Sequence, residues 1–360
     1  MISFKKAHVK EIVSERTGIT KIEVEVNGRI STAINYDQLS GEVKVGDTVI
    51  INTKAVELKL GSGGAHFVLW NLKNSSFTVS GPGHLMKLRY TPMQFGVLSA
   101  EEPESPYHEQ LRECKDLEKM PVIAGELHSQ LPAIVTAIKE VDSKLKIAYI
   151  MTDGAALPIV LSDLVEKLKE LELIDTTITC GQAFGGDFET INIYSALAIA
   201  KKAAGADIAV AVMGPGIAGT GTLLGYSGIE QGAILNAVSA LNGKPIAVVR
   251  LHFADKRDRH YGVSHHSLTS LGIAALAKSD VVLPGLSEDK RDYVLKQLDD
   301  SGISSKHRIV EIDAGNACNI LKGKGMQVTT MGRTIDEEPD FFRAAAAAGI
   351  YAVNQLGDGN

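Results

Sequence analysis

The chain has 360 residues, 44% of them hydrophobic and 22% charged, with a formal net charge of -6. That composition is ordinary for a globular protein and leaves room for a sizeable core and about two domains. There is no basic excess, which argues against nucleic acid as a partner, and the apolar runs end well short of the ~20 residues of a membrane span, which argues against a membrane partner.

The cysteines Cys114, Cys180 and Cys318 are scattered and form no C-x-x-C pair, so they give neither a disulfide framework nor a zinc ribbon. The opening MISFKKAHVKEIVSER is charged throughout and lacks the apolar core of a secretory signal. Both features point to a cytoplasmic protein with reduced thiols.

Residues 1–80 read as a small β-barrel-like domain. Ile22 to Val26 alternates apolar and charged residues, Asn27-Gly28 is a hairpin turn, and Ile30 to Ile34 resumes the alternation. Val45 to Ile51 leads into a further strand, and the turn Gly61-Ser62-Gly63-Gly64 precedes another at His66 to Trp70. Residues 81–119 read as a connector and first helix. They carry Gly81-Pro82-Gly83 and the acidic stretch EEPESPY, with a helix start at Ser105-Pro106.

Residues 120–360 read as an α/β domain. Short apolar runs alternate with amphipathic helical stretches, the pattern of βαβ units on a mainly parallel sheet. The predicted strands are Pro121–Ala124, Lys146–Met151, Thr176–Thr179, Ile208–Met213, Ile246–Leu251, Val281–Leu283, Arg308–Ile312 and Gln327–Thr330. The predicted helices are Leu131–Glu140, Leu161–Leu171, Thr190–Ala204, Ala233–Leu241, Leu268–Lys278, Lys290–Asp300 and Phe341–Ala348. Irregular strand lengths and long loops favour a doubly wound, Rossmann-like sheet; a TIM-like barrel is the alternative.

In either architecture ligands bind at the carboxyl ends of the strands, and polar, glycine-bearing loops follow strand after strand. After the fourth strand comes Gly214-Pro215-Gly216-Ile217-Ala218-Gly219, then Thr220, Gly221 and Thr222. Exposed main-chain N–H groups in such a turn suit an anion. The match to G-x-G-x-x-G also raises a nicotinamide or flavin, the weaker expectation. A Gly/Thr stretch intervenes before any helix, and the next strand ends in Arg250-Leu251-His252 with no carboxylate for a ribose. The competing structural reading is a tight loop with close backbone packing.

The loop after the fifth strand holds His260, His265 and His266, with His252 just before it. Imidazoles serve as general acids or bases near neutrality, or as metal ligands. A divalent metal would use His252, Asp255, His265 and Asp187, although no established ligand spacing is present. Glu126, His128 and Asp153 are further catalytic candidates. Arg257 and Arg259 are candidate anion clamps, as are Arg250 and Arg333. The bland readings are helix caps for Asp153, Asp187 and the paired histidines, and a solvated loop for Lys256 to Arg259.

The segments GELHSQLP, MTDGAALP, AFGGDFE, MGPGIAGTGT, GVSHHSLT and TMGR resemble an uncharacterised bacterial family, a domain of unknown function, over nearly the whole chain. The resemblance implies no activity, substrate or catalytic residue.

The residues themselves lead to two expectations. One is a hydrolase or group transferase acting on a small anionic metabolite, whether phosphorylated or not. The other is a non-catalytic metabolite sensor with the β domain as assembly or output module. A homo-oligomer is left open.

Overall fold

Ile22, Val24 and Val26 turn inward together because the side-chain period of a strand is two, and they join the core of a closed barrel. The barrel is seen in a computed structural model that describes residues 2–60 and 63–357. Gly61 and Ser62 of the expected turn lie outside the described residues. Five strands close it in the order β1-β2-β3-β5-β4: β1 (Phe4–Arg16), β2 (Ile19–Val26), β3 (Arg29–Tyr36), β4 (Thr48–Asn52) and β5 (His66–Asn71). Asn27 and Gly28 both have positive φ, +53° and +71°, as a two-residue type I′ hairpin requires. The first compact unit runs through residue 97. It includes a hairpin of β6 (Leu85–Lys87) and β7 (Phe95–Val97), inside the segment read from sequence as connector.

The second unit, residues 98–360, is built on an open sheet of eight parallel strands. These are β8 (Pro121–Ala124), β9 (Ile147–Thr152), β10 (Thr176–Cys180), β11 (Phe188–Thr190), β12 (Ile208–Met213), β13 (Lys244–Val248), then, after a small hairpin of β14 (Leu251–His252) and β15 (Gly262–Val263), β16 (Asp280–Pro284) and β17 (Arg308–Ile312). Their order is β11-β10-β9-β12-β8-β13-β16-β17. The sheet is doubly wound and does not close, so the barrel alternative does not hold. Neighbouring residues face opposite layers: Ile123, Tyr149 and Val210 pack with helices Leu131–Val141 and Pro339–Gly357, while Val122, Ala148 and Ala209 pack with Ile193–Lys202 and Glu230–Ala240. Burial on both faces explains why β12 is an unbroken apolar run.

Two expectations are corrected. Gln327–Thr330 is not a sheet strand. Only Thr329–Thr330 (β18) is extended, and it pairs with Arg333–Thr334 (β19) in a hairpin turned by Met331 and Gly332, whose φ values are +50° and +77°. The eighth strand is instead β11, which lies in a stretch read as loop. It folds back beside β10 because Asp187 accepts from the Thr177 N–H and hydroxyl, each at 2.8 Å. Gly186 permits the approach, since a Cβ there would stand 2.9 Å from the Thr179 nitrogen.

The chain leaves β8 toward β9, β10 and β11, returns to insert β12 beside β8, and only then builds β13, β16 and β17 on the other side. The reversal places a crevice at the carboxyl ends of β8, β12 and β13, where ligands bind in open α/β sheets.

Candidate functional site

Arg250 follows β13 and is 1% exposed. Its Nε donates to Nε2 of His252 at 3.0 Å, and its Nη1 donates to Nδ1 of His266 at 3.2 Å. Both rings therefore receive the guanidinium through a lone pair and are held as neutral tautomers. Arg250 Nη2 is buried without a partner, and among the described residues no carboxylate lies within ion-pair distance of this side chain. A buried arginine is ordinarily paired.

His260, His265 and His266 come together, with ring centroids 4.1 to 5.5 Å apart. His260 accepts from Arg259 at 3.4 Å through Nε2, so its Nδ1 donates to Ser264 Oγ at 2.8 Å. Ser264, not a histidine, caps the short helix His265–Thr269. His266 stacks on Tyr226 at 4.0 Å, and the Tyr226 hydroxyl donates to the His266 carbonyl at 2.6 Å. Burial comes first, and the charges of Arg250, Arg257 and Arg259 add to it, in keeping these rings neutral. His260 is pushed down to about 3 and His266 to about 4, and His265 is lowered too.

Glu126, in the loop after β8, is fully buried. Ser267 donates to one carboxyl oxygen while the other has no partner. Its backbone is pinned by Gln130, whose Oε1 accepts from the Glu126 and Leu127 N–H groups at 2.8 and 3.0 Å. Burial pushes the Glu126 carboxyl up to about 7, against the Ser267 hydrogen bond and the Arg250 charge. Gln231 spans the ends of β8 and β13 by donating to the Ala124 and Val248 carbonyls at 2.9 and 2.8 Å.

His128 lies in a neighbouring cleft of 490 Å³. It bonds Ser162 Oγ at 2.7 Å and the Tyr149 hydroxyl at 3.3 Å, and burial lowers it to about 4. The cleft is bounded by the loop after β8, by Gly214 to Ile217, and by Gln327 to Met331.

The residues from Gly214 to Ser227 form a flap, with Gly219 bridged to Tyr226. Thr220 and Thr222 bond each other at 2.9 Å and the flap's own Gly225, so their hydroxyls close the turn. Gly216 and Gly221 have positive φ. A helix begins only at the end of the flap, at Glu230, so the strand–turn–helix of a dinucleotide fingerprint is not formed.

The chain matches, over residues 32–349, the family described as "Protein of unknown function (DUF3866)". The chain belongs to this family. Neither the search of curated proteins nor that of solved structures gives a match. In the DUF3866 chain, among the described residues, no group of three or more His, Cys, Asp or Glu is arranged to hold a metal ion. The four residues expected to share one are separated by their partners. Asp187 is held at the β10–β11 edge by Lys169 and Thr177. Asp255 binds Arg257 through both carboxyl oxygens at 2.9 and 2.8 Å and Arg333 at 2.9 Å, which holds its carboxyl far below the usual range. His252 faces Glu338 at 3.3 Å, and His265 stays with the other two histidines. Asp153 accepts from the Gln182 N–H at 3.0 Å, away from the histidines in sequence and on another loop.

Sequence reasoning missed Glu230, Gln231, Ser267 and Tyr226. Glu230 accepts from Thr152, and burial, with the charge of Asp153 adding to it, pushes it up to about 7. In sequence it falls just before the predicted helix Ala233–Leu241, so nothing marks its burial. Among the described residues no helix is long and apolar enough to cross a membrane.

Proposed function

We propose that this protein is a cytosolic hydrolase or group transferase acting on a small anionic metabolite at the crevice beyond β8, β12 and β13. The observation that carries the reading is Arg250, a buried cation whose donors go to two neutral imidazoles, with one nitrogen left unpaired. An oxyanion is the natural partner for that charge. The nearby exposed guanidinium groups of Arg257 and Arg259 would draw the anion in.

Burial, with the arginine charges adding to it, keeps His260, His265 and His266 neutral in the free protein, and a neutral imidazole is competent as a general base. Arrival of an anion offsets the arginine charges and raises the imidazole pKa, so the ring that accepts a proton can return it to a leaving group. Glu126, held near neutrality by burial, is a second proton-exchanging group. The Gly214–Ser227 flap would contribute those backbone N–H groups of residues 214–222 not bonded within it, rather than its threonine hydroxyls.

Inorganic phosphate titrated into the protein tests the reading, with histidine Cε1–H resonances as the readout. Binding should move the resonances of His265 and His266, and His265→Ala should abolish turnover of phosphorylated metabolites in a product screen. Unmoved histidine resonances at saturating phosphate would refute it. A tightly bound metabolite returned chemically unchanged would instead make the protein a sensor.

A further inference from the structure

The 490 Å³ cleft is within the size range of small-molecule sites. Its walls are Leu127, Leu164, Met213, Ile217, Val328 and Met331. Ser129, Gln327 and Thr329 line it as well, so the lining is mainly, not wholly, apolar. Both ring nitrogens of His128 are already committed to Ser162 and Tyr149. Thr330, another lining residue, has a buried hydroxyl with no partner, so one hydrogen bond is still to be made there.

Three connections join this cleft to the cationic cluster. Leu127 follows Glu126 directly. The flap lines the cleft at Pro215 to Ile217 and then passes His266, where a Cβ on Gly219 would stand 4.0 Å from the ring. The β18–β19 hairpin lines it at Thr330 and Met331, and Arg333 of the same hairpin binds Asp255 at 2.9 Å, the carboxylate that also holds Arg257.

From this juxtaposition of an apolar cleft and an arginine–histidine cluster at one crevice, we infer that the substrate is an oxyanion carried on an apolar body. The body occupies the cleft, and the phosphate or carboxylate faces Arg250 and the histidines. A sugar phosphate gains less than an apolar body of the same size, because each hydroxyl set against Leu127, Leu164, Met213, Ile217, Val328 or Met331 loses water without a partner. The inference rests on the proposed anion site and adds the chemistry of the remainder of the molecule.

Calorimetric titration of the full chain separates the two ideas. Phenyl phosphate is compared with inorganic phosphate and glycerol phosphate, and phenylacetate with acetate. Phenyl phosphate should bind at least about tenfold more tightly than inorganic phosphate, as expected for burying one ring, and glycerol phosphate no more tightly than inorganic phosphate. The phenylacetate-to-acetate ratio shows whether a carboxylate serves equally as head group. Leu164→Gln should reduce the phenyl advantage to near onefold and leave inorganic phosphate binding unchanged. Met331→Gln, at a half-exposed position where folding is not at stake, should reduce it in the same direction. Equal affinities for phosphate and phenyl phosphate in the wild type would overturn this inference while leaving the anion site standing. Failure of every anion to bind would overturn both.

Discussion

Glu230 begins a helix, where a carboxylate ordinarily gains from the positive end of the helix dipole. Here burial dominates and its carboxyl is raised from 4.5 to about 7, with Asp153 adding repulsion. A carboxyl whose folded value lies above its unfolded one favours the fold at low pH. That advantage drains away as pH rises from the unfolded value through the folded one. Glu230→Gln keeps the acceptor for Thr152 and removes the charge. The variant should therefore match the wild type near pH 4.5 and exceed it at pH 8, by on the order of 2–3 kcal/mol. Urea midpoints at the two pH values measure this, and an equal difference at both would show that Glu230 ionises freely in the fold. Arg250 makes the complementary point. The sequence offers it as one of four candidate anion clamps and does not single it out. His252 is its neighbour in the chain, but its burial against His266 follows from the end of β13 meeting the helix His265–Thr269, where the Arg250 backbone N–H donates to Ser267 Oγ, a pairing no local pattern encodes.

At the scale of elements, what the sequence made legible was whatever depends on local burial alone. The fully buried strands β8, β9 and β12 are continuous apolar runs, so they could be read directly. β11 could not, because its place beside β10 depends on Asp187 reaching Thr177 and on Gly186 clearing Thr179. β18 was misread for the opposite reason: an apolar-to-threonine stretch looks like a sheet strand until a turn returns it upon itself. The alanine-rich helix Pro339–Gly357 was legible as a helix, but not its closeness to Leu131–Val141, which the run Ala344 to Ala348 and Gly349 allow. A Cβ on Gly349 would meet the Ile134 carbonyl oxygen at 2.5 Å. Gly349→Ala should destabilise by about 1–3 kcal/mol, because backbone overpacking outweighs the up to ~1 kcal/mol of helix propensity gained. Gly323→Ala, in another helix with open space around it, should be neutral or stabilising. Thermal unfolding of the pair decides the matter, and a more stable Gly349→Ala protein would mean that the two helices separate at little cost.

Across the whole molecule, the buried histidines and the buried carboxylates oppose each other in acid. His128, His260 and His266 are lowered to about 4, 3 and 4, so they remain neutral in the fold at pH 5.5, where the unfolded chain protonates most of them. Their stabilisation is complete above about pH 6.5 and drains away as pH falls toward their folded values. Glu126 and Glu230 run the other way, holding protons in the fold that the unfolded chain releases. Nearly three protons gained against nearly two lost leaves a net uptake of roughly one on unfolding near pH 5.5. His66, His252, His265 and His307, all lowered by burial, add to the uptake. Stability should therefore fall on acidification below pH 6.5, with a slope that steepens to about 1.4 kcal/mol per pH unit near pH 5.5 from the first five groups. Denaturant midpoints taken across that range give the slope, and a flat or inverted profile would mean that the histidine cluster is protonated in the native state. Glu230→Gln removes one of the two opposing groups, so the same measurement on that variant should show a slope steeper by about one proton, tying the carboxylate at a helix start and the histidines of another segment into one pH response.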